Sequence, residues 1–142
     1  MGRVTTEATI LNLNDLLEAA QGKLADDQVR KVVVPNALVD TGAWSLSLPT
    51  SMIRQLGLIK HSTKQVMTSK GPSTSDIYAA ARLVIDGRDC AMDVTEVPDG
   101  VPVLIGQIPL ELLDFVVDPK NQRLIGNPAH GGEHILEMYT VG

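Results

Sequence analysis

The chain of 142 residues holds one cysteine, Cys90, and aromatic residues make up only 3% of it. A lone thiol excludes an internal disulfide framework and any zinc site built from paired cysteines. Cys90 reads instead as a small apolar residue in a strand. Positive charge is scarce, with 12 Lys+Arg against 17 Asp+Glu, and its densest point is the pair Arg30-Lys31. No stripe able to track a nucleic-acid backbone is expected, so nucleic acid is not an expected partner. Nowhere do about 18 apolar residues run together, and MGRVTTEATI has no apolar leader core, so neither a membrane span nor secretion is signalled. Met1-Gly2 followed by Arg3 is a weak match to a myristoylation signal. The expected compartment is the cytoplasm.

What is present suits one globular domain over residues 1–142: hydrophobic residues are 44% of the chain, and 12 Gly and 8 Pro cut it into short elements. Val4 to Ile10 alternates as a half-buried strand does, and Asn12 to Gly22 reads as a short helix with an Asn N-cap and Gly22 just past its end. Val29 to Val34 returns to strand, Pro35-Asn36 breaks it, and Ala37-Leu38-Val39 resumes it. A helix follows with Pro49 at its first position, Met52, Ile53 and Leu56 on one face, and Gly57 closing it. Lys64 to Tyr78 predicts a long hairpin with an exposed tip. Asp86-Gly87 is a strong type I′ turn signal between strands 79–85 and 88–97. Val101 to Ile105 predicts a strand ending at Gly106, then a brief helix with Pro109 at its start and a hairpin across residues 118–121. The expected fold is mainly β with short helices.

Asp40-Thr41-Gly42 raises a chemical question, because it places a carboxylate at the end of an apolar run that reads as core. Burying a lone carboxylate costs several kcal/mol or neutralises it, so a partner is needed. Asp supplies a general acid or base, Thr a hydroxyl for a locking hydrogen bond, and Gly lets backbone approach closely. The same tripeptide also suits an ordinary Asx turn between strand and loop.

Context carries the reading further. Ala37-Leu38-Val39-Asp40-Thr41-Gly42-Ala43, with Val103-Leu104-Ile105-Gly106 downstream and a short helix at once after it, resembles the retropepsin-like aspartic proteases. The likeness covers residues 37 to 125 and leaves residues 1–36 as an N-terminal extension with a strand and a short helix. It implies a closed β-barrel acid-protease fold with one lobe per chain. It implies a homodimer in which Asp40 of each copy faces the other, since no other Asp here precedes Thr-Gly or Ser-Gly. Catalysis would then be peptide-bond hydrolysis by water held between the two carboxylates, with no cofactor and a peptide or protein as substrate. Thr41, Gly42 and Ala43 would support the site, and Leu104, Ile105 and Gly106 would form its apolar-Gly element. Ser69, Lys70, Gly71 and Pro72 would be the flap tip, although Gly71 equally suits an exposed turn.

Two positions depart from that family pattern: Trp44 is bulky, and Gln107 stands where many members have Arg. Trp44 is expected to pack under the site or at its rim. The scarcity of aromatics suggests mostly aliphatic pockets. His130-Gly131-Gly132-Glu133-His134 fits a zinc-hydrolase spacing, but two glycines and Pro128 speak against the helix that spacing needs, so no metal is expected. A loop leading into an interface strand at Ile135 to Tyr139 is the preferred reading. The alternative function is a non-catalytic dimeric module that binds peptide or protein through the same groove.

Overall fold

The computed structural model describes residues 3–140, so the Met1-Gly2 signal lies outside it. The expectation of a mainly β chain holds, with 49% strand and 20% helix. In order, the elements are β1 (Val4–Asn12), α1 (Leu13–Ala20), β2 (Lys31–Val39), β3 (Leu46–Pro49), α2 (Thr50–Leu56), β4 (Ile59–Thr68), β5 (Gly71–Ile85), β6 (Arg88–Val97), β7 (Leu104–Ile105), α3 (Gln107–Leu113), β8 (Phe115–Asp118) and β9 (Arg123–Gly126).

Six strands close into a ring. The order β1-β2-β7-β3-β6-β5 returns to its start because β5 also pairs with β1, from Thr9 opposite Val84 to Asn12 opposite Ala81. Strand β4 projects from β5 as the second arm of a hairpin, and β8 and β9 form a separate two-stranded sheet. Closure hides the edges of the six staves. It also means that residue 37 marks no seam: β1, from the stretch read as an extension, supplies a stave.

Ile10, Leu46, Leu48, Leu83, Val94 and Ile105 are fully buried in one cluster that draws on every stave except β2, which adds Val34, Ala37 and Val39. Each such side chain contributes roughly 1.5–3 kcal/mol by leaving water. Around this core a few polar pins tie elements together. Asn12 caps α1 by accepting from the Asp15 amide at 3.0 Å, and its Nδ2 donates to the last carbonyl of α2, Leu56 O, at 2.8 Å. Asp15 takes a two-pronged ion pair from Arg30 at 2.8 and 2.9 Å, which holds the Asp15 carboxyl below its usual range.

Several local expectations shift. Pro35-Asn36 does not break β2; the register jumps from Thr6 opposite Ala37 to Ala8 opposite Val34, so Glu7 faces both residues in a bulge that needs no proline N–H. Pro49 ends β3 and precedes α2 as its N-cap rather than opening the helix. The strand after Val101 shrinks to Leu104–Ile105, and α3 begins at Gln107, so Pro109 sits in its first turn, where its missing N–H costs nothing. Asp86 and Gly87 both take positive φ, 50° and 77°, as the type I′ turn requires. Residues 135–139 form no strand within the chain and are exposed.

Candidate active site

Strand β2 runs beside β7 in parallel, with Leu38 opposite Leu104 and Val39 opposite Ile105. The pairing continues one step past the strand, where the Asp40 amide donates to Ile105 O at 3.0 Å. There the chain turns. Asp40 Oδ1 accepts from the Gly42 amide at 2.9 Å, and the Ala43 amide donates to Asp40 O at 3.1 Å. The Asx turn is therefore real, and it is also what aims the carboxylate.

Asp40, Thr41 and Gly42 are exposed and Ala43 is half-buried. The expectation of a buried carboxylate is thus overturned for a single chain. The core strand ends at Val39, and the turn swings the next side chain into solvent, where no burial cost arises. A partner for Asp40 is not needed for the chain to fold.

The loop after Asp40 is held from behind by α3. Gly106, Gln107 and Ile108 donate their amides to Ser45 O, Ala43 O and Trp44 O at 2.9, 2.8 and 3.1 Å. These are helix-entry donors with no partner inside the helix, and the loop carbonyls satisfy them. The fit leaves no room at Gly106: a Cβ there would lie 2.6 to 2.7 Å from backbone atoms of Ala43 and Ser45. Beneath the loop, Thr95 Oγ1 of β6 donates to buried Ser45 Oγ at 3.0 Å. Ile105 and Gly106 thus meet Asp40 and Ala43 directly, whereas Leu104 pairs with Leu38 and Ser47. Ser45 and Thr95 complete the support. Sequence reasoning missed them, for nothing marks a Ser–Thr pair 50 residues apart.

Ser69 and Lys70 form the exposed turn between β4 and β5, with Gly71 at φ 109° and Pro72 opposite Met67. Thr68 Oγ1 donates to Gly71 O at 2.8 Å and accepts from the Lys70 amide at 3.2 Å, which stiffens the tip. Among the described residues no hydrogen bond joins this tip to residues 40–43. A groove of about 550 Å³ runs between the hairpin and the start of α2, lined by residues 73–76, Thr50, Val66, Thr68, Glu96, Val97 and Pro98. Seven of the ten residues that line it carry a hydroxyl or a carboxylate, and Asp40 does not line it within one chain.

Trp44 lies at the rim, 49% exposed. Gln107, at the position of the absent Arg, donates its side chain to Glu111 at 3.1 Å. The two histidines of the zinc-like spacing diverge: His130 sits between Asp114 and Glu137, while His134 Nε2 meets Leu112 O at 3.1 Å. Cys90 is half-buried, and burial, with help from Asp89, pushes its thiol up to about 11, so it is no nucleophile near neutrality.

A sequence model of an aspartyl protease family matches residues 20–108. The chain belongs to this retropepsin-like aspartyl protease family. The matched region runs from the end of α1 through Asp40 and the hairpin to the first turn of α3, and so contains every residue of the loop clamp. Comparison with individual curated proteins gives no match. Membership supports a protease-type function in general terms. The ring of six staves is its single lobe. Among the described residues no helix is long and apolar enough to cross a membrane.

Proposed function

We propose that this family member is an aspartic endopeptidase that acts as a homodimer and hydrolyses peptide bonds with water activated between two Asp40 carboxylates. The observation that carries the reading is a solvent-facing Asp40 backed by β7 through Ile105 O, with the loop after it clamped by α3, all within the family-matched region. A single chain offers one such carboxylate. A second copy related by a two-fold axis offers the other, through an isologous contact. Trp44, Ile108 and Leu112, exposed by 49%, 43% and 38%, give the loop and α3 apolar surface for that contact.

The chemistry follows from proximity. Two carboxylates brought together do not both ionise readily, so the pair shares one proton, and its titration belongs to the pair. The ionised member takes a proton from water, and the protonated member donates to the scissile carbonyl oxygen. Water adds to the carbonyl carbon, the proton then moves to the departing amine, and no acyl-enzyme forms. Two carboxylates, a water and a proton suffice, so the reaction needs no cofactor. Thr41 would bond across the dimer, and Gly42 and Ala43 would lie against the peptide. The tip at Ser69, Lys70, Gly71 and Pro72 would close over the peptide and exclude water. The proposed setting is the cytoplasm.

Mass-spectrometric profiling of a mixed peptide library between pH 3.5 and 7, with wild type and Asp40→Asn, tests this. Cuts confined to wild type support it. Cuts that survive in Asp40→Asn overturn it, and a stable wild-type dimer that binds peptides and cuts none favours the non-catalytic module.

A further inference from the structure

Every residue from 131 to 140 is exposed, so this C-terminal segment gains little from apolar burial. It is nevertheless held against the end of α3. The Ile135 amide donates to Asp114 Oδ2 at 3.2 Å, His134 Nε2 meets Leu112 O, and Arg88 donates to Gly132 O. His130 is the centre of the arrangement, with Nδ1 2.6 Å from Asp114 Oδ2 and Nε2 2.9 Å from Glu137 Oε1. A neutral imidazole has one N–H and cannot donate to both carboxylates, whereas the imidazolium can.

We propose that residues 131–140 form a pH-gated strap, docked on α3 while His130 is protonated between Asp114 and Glu137 and released when it loses its proton. The charged and titratable groups around His130 are Asp114 at the end of α3, Glu111 within α3, Arg88 at the start of β6, and Glu133, His134 and Glu137 on the strap itself. Arg88 spends its guanidinium on the carbonyls of Leu113, Asp114 and Gly132 and over the Phe115 ring at 4.5 Å, with no carboxylate among these partners. Carboxylates therefore dominate the imidazole's surroundings.

The sign of the pH effect follows. Glu137 and then Asp114 raise the His130 pKa above its ordinary value of about 6.5. A group whose pKa is higher in the docked state favours docking fully below about 6.5, and that preference is lost as pH rises through the docked value. On the acid side, the bond from His130 holds the Asp114 carboxyl down to about 2, so the His130–Asp114 bond persists into acid pH. Release removes the wall that Ile135, Leu136 and Glu137 give to a groove of about 510 Å³, lined on its other side by Gln107 and Glu111 of α3. This device does not depend on the protease reading.

The test is NMR of the full chain from pH 5.5 to 9, following the His130 ring and the amides of Gly132, Ile135 and Glu137. The expected result is one shared midpoint above 6.5, with strap amides losing at least about 10-fold in exchange protection while Val116 and Val117 hold theirs. Glu137→Gln, at an exposed position that leaves folding intact, lowers both midpoints together. His130→Gln leaves the strap undocked at every pH. Strap amides that ignore the His130 titration, a Glu137→Gln variant with both midpoints unmoved, or a strap still docked in His130→Gln would each overturn the proposal.

Discussion

Asp40 and Asp114 both follow an apolar run and both sit where regular structure gives way to a turn, yet the chain treats them in opposite ways. Asp114 is 7% exposed, stands at positive φ of 59°, and receives bonds from His130, Asn127 and the Ile135 amide. Its carboxylate is satisfied by its own chain. Asp40 is exposed and its carboxylate accepts one bond, from an amide two residues on, while the structural effort goes into fixing the backbone beneath it. A fully bonded carboxylate is a rivet, whereas one that is rigidly aimed and left open can do chemistry on something else.

Breaking the open aspartate gives the largest effect, and on activity alone. Asp40→Asn keeps an Oδ1 for the Gly42 amide, so peptide turnover falls by about 10⁴-fold, in the range for lost acid–base catalysis, with melting unchanged. Peptide kinetics and a thermal scan of the same sample check both halves. Next is the backing of that open site. Gly106→Ala forces a methyl group against backbone of Ala43 and Ser45, which cannot move as a side-chain tip can. It costs about 3 kcal/mol of stability, seen in a urea midpoint, and disables Asp40 without touching it.

At the rivet the order reverses, with stability lost first. Asp114→Ala strands three donors and puts a β-carbon residue with no compensating local bond at positive φ, lowering the melting temperature by roughly 5 °C. Asp114→Asn tolerates that backbone and retains an acceptor oxygen, so it loses less. Smallest is Glu137→Gln, which leaves global melting in place and moves only the pH at which the strap is released. If Asp40→Asn and Asp114→Ala lowered melting equally, the contrast between the two aspartates would be lost.

The site's centre was legible from the sequence because it is local: Asp-Thr-Gly after an apolar strand and an apolar-Gly step before a helix are contiguous signals. Asn12, Gly57 and Asp86-Gly87 were legible for the same reason, each acting on the next few residues. Ring closure was implied by the family resemblance, but the pair that closes it was not, since whether β1 meets β5 depends on the path of some 70 intervening residues. The hub at Asp114 was hidden more thoroughly. It gathers Arg88 from β6 and Asn127, His130 and Ile135 from the segment after β9, with Glu137 reached through His130, and its histidine belongs to a spacing that suggested zinc. Exposure of Asp40 was misread because hydrophobic pattern marks where a strand lies, and the turn that follows decides where the next side chain points.

The most direct test of the central claim, that catalysis needs Asp40 from two copies, is to mix wild type with Asp40→Asn at fixed total concentration, allow exchange, and measure peptide hydrolysis against the wild-type fraction. A shared dyad predicts activity that falls with the square of that fraction. Activity directly proportional to it would mean that each chain works alone, and would contradict the account.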